Sequence, residues 1–273
     1  MSNANPALAE LTKFDNLCKE DLFELVEYGK DQKINALVTV NNNYRMDRND
    51  TLLLFDFCNN QIKQKYNTLI VDLKQNLVLS TQKTHILVNR FLHEESPCGR
   101  WTQDLIAKSL GITRHHTVSL GYRCFFSLHG MTKRHTDWVA LHHCKDYNYQ
   151  GKKLTFSGLK IGEKPFEITY HNIDSNIKQR LRDSIHHNYA LRSIFDDFCL
   201  SYLAQKNKQK TLLDDKEILN GFKHQHDSLL HVIEDISNLA ITRSCHHIYD
   251  EIQIAEEDLT YYLHKVKRNQ SIN

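Results

Sequence analysis

Short apolar runs separated by polar turns predict one helix and four strands in the first 83 residues. Residues 15–28 carry apolar side chains three and four positions apart, which is typical of an amphipathic helix. Asp15 is expected to cap its start and Gly29 its end. Four runs rich in Val, Leu, Ile and Phe are expected to be strands: 35–40, 51–57, 68–73 and 76–80.

The middle of the chain predicts a short helix and then a sheet. The helix is expected to open at Thr81 and to end before Pro97-Cys98-Gly99. The residues 146–152 and 158–165 are expected to be turns. About five antiparallel strands are then expected, at 116–120, 123–128, 136–144, 152–157 and 167–171.

Helical patterns dominate the rest of the chain, at 172–204, 212–240 and 247–268. The sequence therefore predicts an α+β fold, with a central antiparallel β-sheet, an N-terminal helix and a C-terminal helical region. The polar stretch 205–211 divides it into an α+β domain, 1–204, and a helical extension, 205–273.

Composition indicates a soluble chain in a reducing compartment. Hydrophobic residues make up 40% of the sequence and charged residues 25%, which is ordinary for a globular protein. The seven cysteines are scattered and form no Cys-x-x-Cys pair, so free thiols are expected. No apolar run approaches the roughly 20 residues that a membrane span needs. We therefore expect a cytoplasmic protein.

Charge is unevenly distributed along the chain, although the net charge is only +2. Residues 84–192 hold 16 Lys and Arg against nine Asp and Glu, a net +7, together with 11 His. Residues 1–83 have a net charge of −1 and residues 193–273 one of −4. A basic centre between mildly acidic flanks favours a polyanionic partner.

Basic side chains in this centre cluster at predicted turns and strand ends, where several can converge on phosphates. The candidate DNA contacts are Arg100, Arg114, His115, His116, Arg123, Lys133, Arg134, Lys152 and Lys153. The sequence alone leaves open that these are an ordinary solvated surface. In that alternative the chain is a regulatory or protein-interaction module that does not bind DNA.

A second alternative is a helix-turn-helix at 102–118. Ala107 and Gly111 stand four residues apart, as that motif prefers. The segment that would form the recognition helix, 115–124, contains Thr, Val and Gly without a helical stripe. Those residues favour a strand.

Neither catalysis nor metal binding is expected from the sequence. His142-His143-Cys144 and Cys245-His246-His247 contain ligand types, but adjacent residues on a strand point to opposite faces. Asp137 is a candidate catalytic carboxylate without a second carboxylate beside it. We therefore predict no enzyme, metal or cofactor. The aromatic residues Trp138, Phe125 and Phe156 are expected in the core.

The order of short motifs resembles the ComK family of competence transcription factors. The blocks that carry this resemblance are Gly99-Arg100, Phe125-Phe126, Trp138, His142-His143, Phe156-Ser157 and Ile168-Thr169-Tyr170. It covers roughly 35–200. Phe126-Ser127-Leu128 stands where the family has Phe-Pro-Thr, and the part beyond about 200 is longer than the family norm.

This resemblance implies an activator of DNA-uptake genes. ComK-type proteins bind AT-rich boxes in double-stranded DNA, chiefly through the minor groove and as multimers, and an adaptor delivers them to a protease. For this chain we expect DNA, a second copy of itself and such a regulator as partners, and no membrane. The acidic extension is expected either to mediate self-association or partner binding away from DNA, or to pack on its own core.

Overall fold

The computed structural model describes residues 17–29, 31–95, 100–112, 117–129, 135–161 and 164–200. Within these ranges, side chains are not described at 100–102, 160–161, 164–165 and 194–200. The fold is mixed α+β, as the sequence predicts, with sheets of mainly antiparallel strands. The predicted boundary at 204/205 and the predicted helices at 212–240 and 247–268 lie outside the described residues.

The larger of two sheets has seven strands in the order β2-β5-β4-β3-β8-β7-β6. Neighbours are antiparallel except for β2 and β5, which run parallel. Its strands are β2 (Val38–Val40), β3 (Thr51–Asp56), β4 (Thr68–Asp72), β5 (Asn76–Ser80), β6 (Thr117–Ser119), β7 (Cys124–Ser127) and β8 (Trp138–Ala140).

The smaller sheet has four strands in the order β1-β11-β10-β9. They are β1 (Leu17–Cys18), β9 (Asp146–Gln150), β10 (Lys153–Ile161) and β11 (Lys164–Tyr170). The register shifts between Phe156 and Leu159, where Gly158 has a φ of 78°. A Cβ at Gly158 would lie 2.5 Å from Cβ of Lys145, so this close approach favours glycine for space as well as for backbone angle.

Five α-helices and one short 3₁₀ helix connect and cover these sheets in the described ranges. They are α1 (Lys19–Tyr28), α2 (Gln32–Asn35), α3 (Thr84–Glu95), α4 (Arg100–Ser109), the 3₁₀ helix (Leu141–His143) and α5 (Ile177–Leu200). In the described part of the chain no helix has the length and apolar character needed to cross a membrane.

Continuous apolar runs explain why the larger sheet is central. All six residues of β3 and all five of β4 are buried, so both faces of these strands are covered. One face, with Phe55 and Phe126, packs against the smaller sheet. The Phe126 and Phe156 rings are 6.5 Å apart, and those of Phe55 and Tyr170 are 5.9 Å apart. The helices α1 and α5 complete this first core.

The opposite face of the larger sheet forms a second core with α3. Trp138 and Phe125 from the sheet pack with Leu87 and Phe91 from the helix, and the Phe91 and Phe125 rings meet edge to face at 5.3 Å. Trp138, Phe125 and Phe156 are 2% exposed or less, which confirms the predicted core positions. A base-stacking role for Trp138 is therefore excluded in this fold.

The first helix begins later than its periodicity predicts. Leu17 and Cys18 pair with β11, and α1 starts at Lys19 with Cys18 as its N-cap. The predicted cap at Asp15 is therefore wrong, because the strand residues Leu17 and Cys18 precede the helix. Gly29 ends α1 in the left-handed conformation with a φ of 58°, as predicted.

Further segments differ from the prediction: residues 158–161 and 164–165 belong to β10 and β11 rather than to a turn, and the helix predicted from Thr81 begins at Thr84. Residues 32–35 form a helix turn, so only 38–40 of the predicted strand 35–40 is a strand. The predicted strand 136–144 changes into the 3₁₀ helix after Ala140. Residues 146–150 form β9 rather than a turn, since Tyr147 and Tyr149 alternate with exposed polar residues and contact the first core.

The helix-turn-helix alternative is wrong for the described residues. The first helix exists as α4, and Gly111 follows it with a φ of 67°. Residues 117–119, however, form the edge strand β6, which pairs with β7. The β-branched residues Thr117 and Val118 are buried in that sheet, so no recognition helix forms there.

A buried polar network fastens α4 and α5 to this edge strand. Gln103 exchanges two hydrogen bonds with the backbone of Ser119, at 2.7 and 2.8 Å. His187 receives a hydrogen bond at Nδ1 from the Ser119 hydroxyl at 2.8 Å and donates one from Nε2 to the Gln103 carbonyl at 2.8 Å. Burial lowers the pKa of His187 to about 4, so the imidazole is neutral near pH 7 and these two partners suit that neutral form.

Truncating Trp138 is expected to destabilise the fold severely. Trp138→Ala removes the largest side chain of the second core and should cost about 3–5 kcal/mol in urea unfolding. Trp138→Phe is the control, because the buried Nε1 has no hydrogen-bond partner among the described residues and a smaller aromatic ring still fills much of the site. Equal losses for both variants would contradict this account.

Stability should fall as the pH drops below 6.5, with a contribution from His187. The unfolded histidine gains a proton near pH 6.5 and the folded one only near pH 4, so protonation favours unfolding between these values. The unfolding free energy that is lost between pH 6 and pH 5 should be smaller in His187→Gln than in the wild type by about 1 kcal/mol. The exposed His171→Gln is the control, and an unchanged slope in His187→Gln would refute the assignment.

Candidate nucleic-acid interface

The structure describes the side chains of only three of the nine predicted DNA-contact residues. These are Arg123, Lys152 and Lys153. Arg100 is the first residue of α4, and its side chain is not described. The remaining five lie outside the described residues: Arg114, His115, His116, Lys133 and Arg134.

Arg123 is engaged in the fold. Its Nε and Nη2 donate to Oδ1 of Asn49 at 2.9 and 2.7 Å, and Nη1 donates to the Tyr122 carbonyl at 2.9 Å. Burial and the neighbouring Arg48 lower its pKa from the usual 12.5. This geometry favours a structural role that ties β7 to the loop before β3.

Lys152 and Lys153 stand at the hairpin between β9 and β10. Gly151 and Lys152 have φ values of 57° and 81°, as a two-residue primed turn requires. Both lysines are exposed and form no salt bridge within the described ranges. Of the three described candidates, this pair remains free to meet phosphate.

The charge on the outer face of the smaller sheet is unfavourable for DNA. It forms an open cleft of about 240 Å³, lined by Asp146, Tyr147, Asn148, Gln150, Lys153, Thr155, Ser157 and Glu167. Its two carboxylates oppose phosphate and outnumber the one lysine. Contacts by Lys152 and Lys153 would therefore come from the hairpin tip rather than from this face.

Several histidines of the basic segment carry no charge at neutral pH. Burial is the main reason that the pKa of His142 is lowered well below 6.5 and that of His143 falls to about 4. His143 donates to the Asn49 carbonyl at 2.9 Å, and the neutral His187 has been described above. These three histidines therefore add no positive charge to the segment.

The connection between β7 and β8 carries the Lys133-Arg134 pair, and its two ends are held together. The Thr136 hydroxyl oxygen accepts from the backbone N–H of His129 at 2.9 Å. The Leu128 N–H donates to the Asp137 carbonyl at 3.1 Å. Arg180 of α5 donates to the Leu128 carbonyl at 2.9 Å, which fixes one end of the connection to the core.

A buried polar cluster lies under this connection, with Asp137 at its centre. The Lys19 ammonium is 2.8 and 3.1 Å from the two Asp137 carboxylate oxygens. The backbone N–H of Asp56 donates to the same carboxylate at 2.7 Å. Burial raises the pKa of Asp137 and the Asp56 charge adds to that rise, whereas Lys19 opposes it.

Three more side chains join the cluster around Asp56. The Thr84 hydroxyl lies 3.0 Å from the Asp56 carboxylate, and Nδ1 of His135 lies 3.4 Å from it. The Cys58 thiol is 3.5 Å from Oδ2 of the Asp56 carboxylate. Burial, and then the Asp56 charge, raise the pKa of Cys58 to about 11, so the thiol is protonated.

The sequence did not reveal this cluster. No second carboxylate lies near Asp137 in the sequence. In the fold, however, Asp56, 81 residues away, lies beside it and donates its backbone N–H to the Asp137 carboxylate. The available signal was a polar residue at the end of an apolar strand, since Asp56 follows Leu52–Phe55 and Asp137 precedes Trp138-Val139. Adjacent antiparallel strands bring such ends together, but their pairing cannot be read from one sequence.

The triplet His142-His143-Cys144 shows no such convergence in the described part of the chain. His142 contacts the Cys124 backbone, His143 the Asn49 carbonyl, and Cys144 the Ala140 carbonyl. The three side chains thus bind different partners. The second triplet, Cys245-His246-His247, lies outside the described residues.

Comparisons of this chain with protein-family models, with curated proteins and with solved structures find no match.

Proposed function

We propose that this protein is a sequence-selective DNA-binding transcription factor that binds AT-rich double-stranded DNA through its basic central segment. The observation that carries the proposal is the charge distribution, a net +7 in residues 84–192 between flanks of −1 and −4. Phosphate neutralisation by Lys and Arg dominates DNA affinity, so a concentrated basic segment is the feature that binding requires.

The arrangement of the described lysines and loops supports contacts at two places. One is the β7–β8 connection, which carries Lys133 and Arg134 in the sequence and whose described ends, His129 and Thr136, are joined by a hydrogen bond. The other is the rigid β9–β10 hairpin with Lys152 and Lys153. Side chains on constrained loops lose less entropy on binding phosphate than those on free chain ends.

The resemblance to ComK-type proteins supplies the preference for AT-rich DNA and the expectation of a multimer. Most of its blocks are residues that build the fold, since Phe125, Phe126, Trp138, Phe156 and Ile168 are all buried. The resemblance therefore supports a shared scaffold more strongly than shared DNA contacts. DNA binding needs its own test for this reason.

DNA binding is expected to weaken steeply with salt. Fluorescence anisotropy of AT-rich and GC-rich duplexes over a salt series should give tighter binding to AT-rich DNA. Log affinity should fall against log salt with a slope of about −0.9 per phosphate contact. Lys133→Ala with Arg134→Ala should weaken all sequences alike and reduce the slope by about 2.

Two further double variants define the surface. Lys152→Asn with Lys153→Gln should act like the first pair, and asparagine suits the left-handed backbone at 152. Lys33→Ala with Lys65→Ala removes the same charge from exposed positions in residues 1–83 and should leave binding unchanged. The proposal is wrong if no duplex binds at low salt, or if this control weakens binding as much as the others.

A further inference from the structure

We propose that Asp56, Cys58 and His135 form a binding site for a divalent metal ion, with zinc as the metal that fits best. The three residues come from the end of β3, the turn after it and the start of the chain leading into β8. Their ligand atoms all lie within 4.8 Å of one another. The proposal stands independently of DNA binding.

The distances of His135 and Cys58 from the Asp56 carboxylate lie in the range found in a tetrahedral site. Zinc bonds of about 2.0–2.3 Å place neighbouring ligand atoms about 3.3–3.8 Å apart. Nδ1 of His135 is 3.4 Å from Oδ1 of Asp56, and Sγ of Cys58 is 3.5 Å from Oδ2. Because these two distances involve different oxygens of the carboxylate, and the ligand atoms are up to 4.8 Å apart, the side chains have to rotate for one ion to contact all three. Water can take the fourth position, as in zinc sites with three protein ligands.

The donor types also favour zinc over the other common ions. Magnesium and calcium prefer sets made entirely of oxygen ligands, whereas this set has one sulfur, one nitrogen and one oxygen. Zinc binds thiolate, imidazole and carboxylate together. Burial and the Asp56 charge raise the pKa of the Cys58 thiol. A bound cation opposes both, because a thiol that coordinates a metal is deprotonated.

Charge balance supplies an independent reason for a cation at this place. Among the described residues, Asp56 and Asp137 share a buried region in which Lys19 is the cation bonded to a carboxylate, so the three groups together have a net charge of −1. The Asp56 and Asp137 side chains are 5% and 10% exposed. A divalent ion with the Cys58 thiolate adds one positive charge and makes the region neutral. Lys83 also lies near Cys58, but it is partly exposed, so water screens its charge.

The surroundings already orient the ligands. Thr84 holds one Asp56 oxygen at 3.0 Å, and the Cys58 N–H donates to the other at 3.1 Å. Such partners in the outer shell fix ligand direction in known metal sites. His135 is 42% exposed at its side chain, so the site has a path to solvent for the ion.

A metal bond at His135 would also anchor the chain next to Lys133 and Arg134. His129 and Thr136 already join the two ends of this connection. The added bond would fix the residue directly after Arg134 to β3. The site is therefore a structural metal site that organises the loop, rather than a catalytic centre.

Metal binding is tested on the full untagged chain with Zn²⁺ and Co²⁺ as probes. After equilibration with Zn²⁺ and removal of free metal, mass spectrometry should give one equivalent per chain. Titration with Co²⁺ should produce a thiolate-to-cobalt charge-transfer band, which reports a cysteine ligand. Zinc should also raise the Tm.

Variants decide whether this cluster is the site. Cys58→Ser should abolish the charge-transfer band, and His135→Ala should weaken zinc binding by more than about 100-fold, the upper end of outer-shell effects. Thr84→Val should weaken it by about 10–100-fold, because Asp56 loses an orienting partner. His171→Ala, an exposed histidine elsewhere, should bind zinc normally.

Two results would overturn the proposal. The first is a wild-type chain that retains no zinc and shows no rise in Tm. The second is a charge-transfer band that persists in Cys58→Ser, because the thiolate ligand would then be another of the seven cysteines. Since serine is nearly isosteric at this half-buried position, circular dichroism can verify that this variant is folded.

Discussion

The fold depends on the buried carboxylate of Asp137. Asp137 directly precedes β8. Its carboxylate binds the Lys19 ammonium of α1 and the backbone N–H of Asp56 at the end of β3. Burial of a charged group is costly unless it is paired and hydrogen-bonded. The arrangement therefore specifies that α1, β3 and β8 meet at one point, where apolar packing alone would permit sliding.

This point also connects the core with the proposed interface. The Asp137 charge is near enough to Tyr170 of β11 to raise its pKa, although burial is the larger cause. On the other side, Thr136 closes the connection that carries Lys133 and Arg134. The described ends of that connection, His129 and Thr136, are therefore joined next to the buried Asp137 carboxylate.

In the described structure, fewer basic side chains are exposed and charged than the sequence suggests. Arg123 and Arg180 donate hydrogen bonds to groups within the fold, and buried histidines such as His187 are neutral. What remains for a polyanion is a smaller set of exposed lysines and arginines. Counting basic residues along the chain overestimates the exposed positive charge, because some guanidinium groups form hydrogen bonds between distant elements of the fold.

The α+β class and most strand positions could be predicted because they rest on local patterns. The run Leu52–Phe55 can only be a buried strand or a buried helix segment, and its neighbouring turns favour the strand. β9 escaped prediction because Asp146, Asn148 and Gln150 make its sequence polar, while its tyrosines alone face the core. The Asp56–Asp137 cluster escaped because it depends on strand pairing between distant residues.

The central claim, that residues 84–192 meet DNA, is tested most directly by lysine footprinting. Acetylation rates at individual lysines are measured by mass spectrometry with and without an AT-rich duplex at low salt. The account predicts slower acetylation at Lys133, Lys152 and Lys153, with unchanged rates at Lys33 and Lys65. Protection confined to lysines outside residues 84–192, or none at any lysine under conditions where the duplex is bound, would contradict it.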